Sequence, residues 1–356
     1  MLLKLLIILP YFTLFVQRLL GNKATLKLIF YITGGEKFYY TKVKFDNILN
    51  RKILQLYILL PGKGCEWAKN TGGCTMCGLY QKANKFGNKI TQNGLIALYK
   101  TAGILTRTLN PETINIYNGG SFLNVNEINE KTQFKIFKLV SKHTTVKKLF
   151  IESRPEFIIE GVIKKITNIL DDKILEIGIG LESFNEKIRN VNINKGINIE
   201  SYNSAIKILK KYKSKSLTYV LIKPIGVSEN EAINEAISTT KYVFEVGCDE
   251  VAYEAAFIQP NTKMEVLYMS NLYKTPWLWS IIKIINECYK YGKISIGEFE
   301  DEPKPIATPY NCDYCSDKIF TILNLFRETN NIKLFKNLPE CSCQNDWLKV
   351  IESNQF

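Results

Sequence analysis

From about residue 50 onward, short apolar runs alternate with longer amphipathic stretches, and no other feature restricts the fold of this chain so strongly. The apolar runs are LQLYILL (54–60), TINIYNG (113–119), KKLFIES (147–153), ILEIGIGLES (174–183), LTYVLIKP (217–224) and EVAYEAA (250–256). Runs of this length, rich in β-branched and aromatic residues, read as strands. Between them, 126–142 and 229–247 place apolar residues at helical spacing, and the second ends in Gly247, the residue that a helix C-cap favours. Strands that alternate with helices pair in parallel through right-handed crossovers. The expected fold is therefore α/β, a partial (β/α)6 TIM-like barrel over 51–300. An N-terminal extension (1–50) precedes it and a small Cys-rich module (301–356) follows, the boundary falling at the loop-like ProLysProIleAlaThrProTyr.

In such barrels chemistry gathers at the carboxyl ends of the strands, where loops leave the core. The polar and glycine residues of this chain fall there: Asn118 to Ser121, Glu152 to Arg154, Glu182 with Ser183, Lys223 with Pro224, and Glu254. A barrel without a site would not require that coincidence.

Nine cysteines cluster at 65, 74 and 77, at 312 and 315, and at 341 and 343, with Cys248 and Cys288 alone. Such grouping suits metal binding in a reducing, cytoplasmic compartment better than a disulfide framework. His143 is the one histidine, so metal chemistry is expected to rest mainly on sulfur, and histidine-based general catalysis is not expected. The net charge of +13 is spread along the chain, which makes a polyanion a candidate partner, although heavy use of Lys, Asn and Ile throughout also inflates it. The apolar N-terminal run, Leu5 to Val16, is shorter than the roughly 20 residues that span a bilayer and is broken by Pro10. It is expected to pack on the barrel, or to come from a start codon placed too far upstream, and no membrane association is expected.

The segment PGKGCEWAKNTGGCTMCGLY sets Cys65, Cys74 and Cys77 in a glycine-rich loop, spaced C-x8-C-x2-C, directly after the first expected strand. Three thiolates suit a 4Fe-4S cubane with one iron left open, while zinc with a distant fourth ligand, or plain packing, are the alternatives. With this loop the chain resembles the radical S-adenosylmethionine (SAM) superfamily. Its eight-residue first gap departs from the usual C-x3-C-x2-C and is similar to a narrower group, the radical subunit of archaeosine synthase and its Elongator-type relatives. The likeness continues through IYNGGSFL (116–123), ESRPEFI (152–158), GLES (180–183), IRNVNINKG (188–196), LIKP (221–224), TPWLWS (275–280), NCDYC (311–315), and ECSC with Trp347.

The resemblance implies that Gly119 and Gly120 lie beside the methionine amine of SAM, with Ser121 where many radical enzymes carry a carboxylate. It also implies cofactor contacts for Glu152, Arg154, Glu182, Arg189 and Lys195. Alternatively, Glu152, Arg154, Glu182 and Arg189 form an ion-pair ring at a barrel mouth, and the two glycines an ordinary turn. Lys223 and Glu254 are candidate catalytic or substrate contacts. Cys312, Cys315, Cys341 and Cys343 suit a closed zinc site around a helix over Lys318 to Thr329, or an auxiliary iron–sulfur cluster.

The activity that the resemblance implies is that of a lyase completing archaeosine in tRNA, acting on a 7-deazaguanine whose side chain carries lysine. It implies as partners tRNA, the lysine-transferring subunit and an electron donor whose identity the residues do not carry. The other readings are a different radical enzyme of RNA, by acyl or methylthio transfer, and a zinc-bound nucleic-acid-binding protein without catalysis.

Overall fold

The computed structural model describes residue 10 and residues 38–79, 90–300 and 304–353. The apolar run over residues 5–16 lies outside these but for Pro10. Among the described residues, eight strands occur in chain order in one sheet: β1 (Tyr39–Asp46), β2 (Arg51–Leu59), β3 (Thr113–Tyr117), β4 (Lys148–Glu152), β5 (Ile174–Glu182), β6 (Lys215–Ile222), β7 (Glu250–Ala255) and β8 (Lys293–Ile296). All six expected strands are present, and β1 and β8 add one at each side. With helices in nearly every crossover, this is the partial α/β barrel that the alternation implied. No helix among the described residues is long and apolar enough to cross a membrane.

The chain divides into two compact units, one comprising the described parts of Met1–Val43, Ile53–Gly72 and Leu79–Ile177, the other Lys44–Lys52, Gly73–Gly78 and Gly178–Phe356 as far as described. In the first, β2, β3 and β4 pair in parallel, with Gln55 opposite Thr113 and Thr113 opposite Lys148. Because side chains alternate along a strand, this register gathers Leu56, Ile58, Ile114, Ile116, Leu149 and Ile151 on one face, all essentially fully buried. The other face is polar and buried too. Gln55 Oε1 accepts from Tyr57 Oη (3.0 Å) and Asn115 Nδ2 (3.2 Å), and Lys148 pairs with Glu176. The described residues of this unit include the helices α2 (Gln92–Thr106), α3 (Glu130–Val140) and α4 (Glu160–Leu170), with the short α1 (Glu66–Thr71) in the cysteine loop. Thr91 and Asn129 cap α2 and α3 by accepting from Gly94 N and Thr132 N, satisfying donors that a helix start leaves orphaned.

In the second unit β6, β7 and β8 pair in parallel, Leu217 opposite Glu250 and Glu250 opposite Lys293. The helices are α5 (Ile199–Lys211), α6 (Glu229–Val246), α7 (Lys263–Met269), α8 (Leu278–Cys288), α9 (Ser316–Thr329) and α10 (Cys343–Ser353). Ser228 and Glu231 form a reciprocal capping box at the start of α6, and Gly247 ends it at φ 103°. That is the C-cap anticipated for glycine at 247.

Candidate cofactor and metal sites

Two separate clamps hold the cysteine loop, one in each unit. Cys65 stands as N-cap residue of α1, which closes on Gly72 in the left-handed region at φ 84°. Behind it lies Glu127, 3% exposed, whose carboxylate receives donors from two loops. Its Oε1 accepts from Glu66 N (3.0 Å) and Asn124 Nδ2 (3.2 Å), and its Oε2 from Ser121 N (2.7 Å) and Asn118 Nδ2 (3.1 Å). Glu127 thereby ties the start of α1 to the turn that contains Gly119 and Gly120. Burial pushes its carboxyl upward while these four bonds pull the other way. Glu66 in turn accepts from Asn124 (2.7 Å) and Asn126 (2.9 Å), bonds that hold its carboxyl below the usual range.

Gly119 sits at φ 66°, where glycine is favoured. At Gly120 the constraint is space, since a Cβ there would stand 2.1 Å from Glu127 Oε2 and 3.0 Å from the Cα of Cys65. Glycine at 120 lets the turn and the cysteine loop touch, as a backbone-lined seat for a ligand beside Cys65 would need. Ser121 is buried, and its hydroxyl accepts from Arg154 N (3.1 Å). The Arg154 guanidinium lies 4.8 Å over the ring of Trp67 in α1 and is paired with Glu156. Glu152 O accepts from Phe122 N (2.8 Å). Thus Gly119, Gly120, Ser121, Glu152 and Arg154 converge on one side of the α1 loop.

The segment Gly73–Gly78, carrying Cys74 and Cys77, is held in the second unit. Asn194 Nδ2 donates to Gly73 O (2.8 Å), Thr75 N to Ile193 O (2.9 Å), Thr75 Oγ1 to Asn192 O (3.0 Å) and Met264 N to Thr75 O (3.1 Å). Gln259 Oε1 accepts from Gly78 N, and a Cβ at Gly78 would meet that oxygen at 2.8 Å. Cys74 and Met76 pack on a cluster that includes Ile193, Ile258 and Met264. Gly73, Cys74 and Thr75 therefore rest on the loop that carries Arg189 and Lys195.

In that loop, after a π-helical turn over Ile188–Asn192, Lys195 pairs with Glu182 at 2.7 Å. The pair lies over Gly180, whose Cβ would come within 2.5 Å of Lys195 Nζ. Glu182 itself has φ 70°, an uncommon conformation for a residue with a side chain. Arg189 is 2% exposed and spends its donors on backbone, Nε on Ile197 O (2.8 Å) and Nη1 on Phe184 O (2.7 Å) and Ser183 O (3.1 Å). In this geometry it shapes the loop from within.

Lys223, at φ 61° beyond β6, is paired with Glu229 at the start of α6 at 2.7 Å, both side chains at most 5% exposed. The Glu254 carboxylate packs on Gly297, where a Cβ would stand 2.3 Å away. The structure brings Lys223 together with Glu229, and Glu254 with Gly297. Glu127, Asn194, Gln259 and Glu229 had no place in the sequence reading. Glu127 and Glu229 carried only a faint signal, as acidic residues among the polar positions that precede or open helices.

At the carboxyl end, Cys312, Cys315, Cys341 and Cys343 place their four sulfurs within 4.8 Å of one another, with separations of 3.4 to 3.5 Å between Cys312 and Cys315, Cys312 and Cys341, and Cys315 and Cys343. A tetrahedral ion with metal–sulfur bonds near 2.3 Å sets its sulfurs about 3.8 Å apart, so the set fits one such ion. A cubane is a bulkier guest whose thiolates stand around several irons. Burial works to raise the Cys312 thiol, but hydrogen bonds from the Cys315 backbone and the neighbouring thiols bring it down to about 7, while burial raises Cys315 and Cys343. Unequal proton affinities in a crowded thiol set are what a bound cation would level. The helix expected over Lys318 to Thr329 is α9, lying between the two pairs.

No family model matches the chain. An uncharacterized protein of Methanocaldococcus jannaschii is 35% identical over 305 residues, covering 83% of this chain and 82% of that one. The archaeosine synthase subunit beta of Methanosarcina acetivorans is 29% identical, covering 85% of this chain and 86% of the relative. That of Thermococcus kodakarensis is also 29% identical, covering 86% and 95%. At 35% identity across more than four-fifths of both chains, the chain belongs to the family of the M. jannaschii protein, and it is similar over a comparable share of its length to the two archaeosine synthase beta subunits.

Proposed function

We propose that this chain is a radical SAM enzyme of tRNA modification that releases archaeosine from a lysine-bearing 7-deazaguanine nucleoside. The observation that carries the reading is the close approach of Gly120 to Cys65, locked by the Glu127 carboxylate. Cys65, Cys74 and Cys77 would hold the 4Fe-4S cluster, and the backbone of Gly119 and Gly120 would receive the SAM amine. Bound there, the cluster would supply one-electron reduction of SAM, the radical chemistry by which hydrogen abstraction from the lysine chain leads to scission of the carbon–nitrogen bond. The protein's part is to bind, align and keep water out. Glu182 with Lys195, and Arg154 over Trp67, are charged groups suited to the ribose hydroxyls and carboxylate of the cofactor. Zinc would occupy the four carboxyl-terminal thiolates.

The substrate class comes from the two archaeosine synthase relatives, and the net charge of +13 agrees with phosphate contacts to tRNA. Their designation as beta subunits supports a lysine-transferring partner, in the cytoplasm where thiolates stay reduced. The three-part division at about residues 50 and 300 goes with this reading, the barrel carrying the chemistry and the carboxyl-terminal module a structural metal. The test is anaerobic reconstitution, then reduction with SAM and lysine-modified tRNA. Archaeosine formed together with 5'-deoxyadenosine is expected. Formation of 5'-deoxyadenosine alone would refute the substrate, and a colourless protein without iron would refute the radical chemistry.

A further inference from the structure

Four of the motifs that carry the family resemblance, LIKP, TPWLWS, NCDYC and ECSC with Trp347, supply none of the cofactor contacts proposed for this chain, yet their side chains form one bonded path. It begins at the four thiols. Trp279 Nε1 donates to Cys343 Sγ at 3.3 Å, and Cys343 opens α10. One turn along α10, Trp347 Nε1 donates to Ser280 Oγ at 2.9 Å. Ser280 Oγ donates to Glu229 Oε1 at 2.5 Å, which also receives Trp277 N at 2.9 Å. Glu229 Oε2 then faces Lys223 Nζ at 2.7 Å, and Tyr273 Oη donates to the Lys223 carbonyl at 2.6 Å.

From Cys343 to Lys223 every side chain on the path is buried, with Ser280 and Glu229 no more than 1% exposed and Trp347 7%. A buried ammonium is tolerable only where its counter-charge is fixed, and a buried carboxylate only where its donors are. Glu229 meets both needs at the first turn of α6, where the helix dipole also favours a negative charge. Its orientation depends on Ser280, and Ser280 is braced by Trp347. Lys223 holds a left-handed backbone conformation that a side chain adopts only when its surroundings impose it. The path ends where β6 delivers its residue to the carboxyl edge of the sheet, the edge that bears chemistry in α/β barrels.

We propose that the carboxyl-terminal tetrathiolate site fixes Lys223, with Trp347, Ser280 and Glu229 as positioning residues, so that metal occupancy at the tail sets the placement of a cation at the end of β6. The proposal rests on the preceding functional reading only in taking Lys223 as a contact for an anionic group of the substrate. A simple staple for the tail would loosen many residues when broken. A positioning path loosens Lys223 selectively.

The test follows the acetylation rate of Lys223 in the full-length protein by peptide mass spectrometry, without tRNA or SAM, taking exposed Lys135 on α3 as internal reference. Trp347→Phe keeps the ring and all four thiolates but removes the donor to Ser280. It should speed Lys223 acetylation about fivefold, the shift expected from one lost hydrogen bond, and leave Lys135 unchanged. Chelation of the metal, verified by thiol titration of the four cysteines, should do at least as much. Lys223 rates unchanged within about twofold in both preparations would overturn the proposal. If chelation speeds every lysine alike, Trp347→Phe decides: a change at Lys223 alone supports the path, and no change refutes it. In turnover, Trp347→Phe should raise KM for the tRNA more than it lowers kcat. A protein that shows the labelling shift but forms no archaeosine would sink the functional reading and leave the path standing.

Discussion

Replacing Glu127 with glutamine tests the clamp on Cys65 with almost no change of volume. The carboxylate accepts two donors on each oxygen, those on Oε1 coming from Glu66 and Asn124 and those on Oε2 from Ser121 and Asn118. A glutamine keeps one acceptor oxygen and must turn its NH2 against the other pair of donors. Two bonds of a charged acceptor are lost, each worth about 1.5–3 kcal/mol, and relief from burying a charge returns part of that, leaving a net cost of about 2 kcal/mol. Alanine removes all four bonds and admits water into the space left, so Glu127→Ala should cost about 3 kcal/mol. Urea unfolding of the cluster-free protein reads the cost as a lower midpoint at unchanged slope. Alkylation of Cys65, followed beside that of Cys74 and Cys77, reads where the loosening occurs. Cys65 should react faster and the other two unchanged, because the bonds that hold Gly73–Gly78 lie elsewhere. Glutamine within about 0.5 kcal/mol of the parent would refute the argument, since it would mean that Glu127 carries a proton and does not serve four donors.

Gly120→Ala should destabilise by about 2–3 kcal/mol and lower iron incorporation, because its Cβ would overlap Glu127 and press on Cys65; urea midpoints and iron analysis check this. Asn194 has φ 58° and bonds Gly73 O, so Asn194→Gly loses only the bond while Asn194→Ala also strains the backbone. The alanine variant should be the less stable by about 1 kcal/mol in the same assay. His143 is half-buried near Lys173, and partial burial first, then that charge, lowers its imidazole from the ordinary 6.5. The unfolded chain therefore binds the proton more readily, so stability should fall as pH drops through about 6.5 and level off below the folded value. As His143 is the one histidine, His143→Gln should flatten that slope in thermal melts between pH 7 and 5, and a slope that persists would assign it to carboxylates.

Much of the framework was legible in the residues alone. Six strands, the α6 cap at Gly247, helix α9 and the grouping of thiols all follow from local rules of periodicity, cap chemistry and spacing. The strands β1 and β8 were not legible, for physical reasons. Tyr39–Asp46 alternates Val43 and Phe45 with Lys42 and Lys44, but its one fully buried residue is Asp46, so its apolar positions mark no core face, and Lys293–Ile296 is too short for a period to show. The polar face that bears Gln55, Asn115 and Lys148 breaks the apolar pattern of a buried parallel strand, yet the sequence still reads as strand because the opposite face is unbroken.

What only the tertiary structure decided is which charges serve which neighbours. The sequence placed Arg189 among cofactor contacts, but three backbone carbonyls occupy its guanidinium. Lys223 had no visible partner, and its counter-ion, Glu229, is a helix-start residue six positions later that points back across the turn. Glu127 joins segments some 60 residues apart, Glu66 to Ser121, through one carboxylate. Spacing along a chain encodes periodic structure because helix and strand repeats are local. It cannot encode the pairing of a buried charge, which the fold settles by bringing distant donors within 3 Å and excluding the water that would otherwise satisfy them.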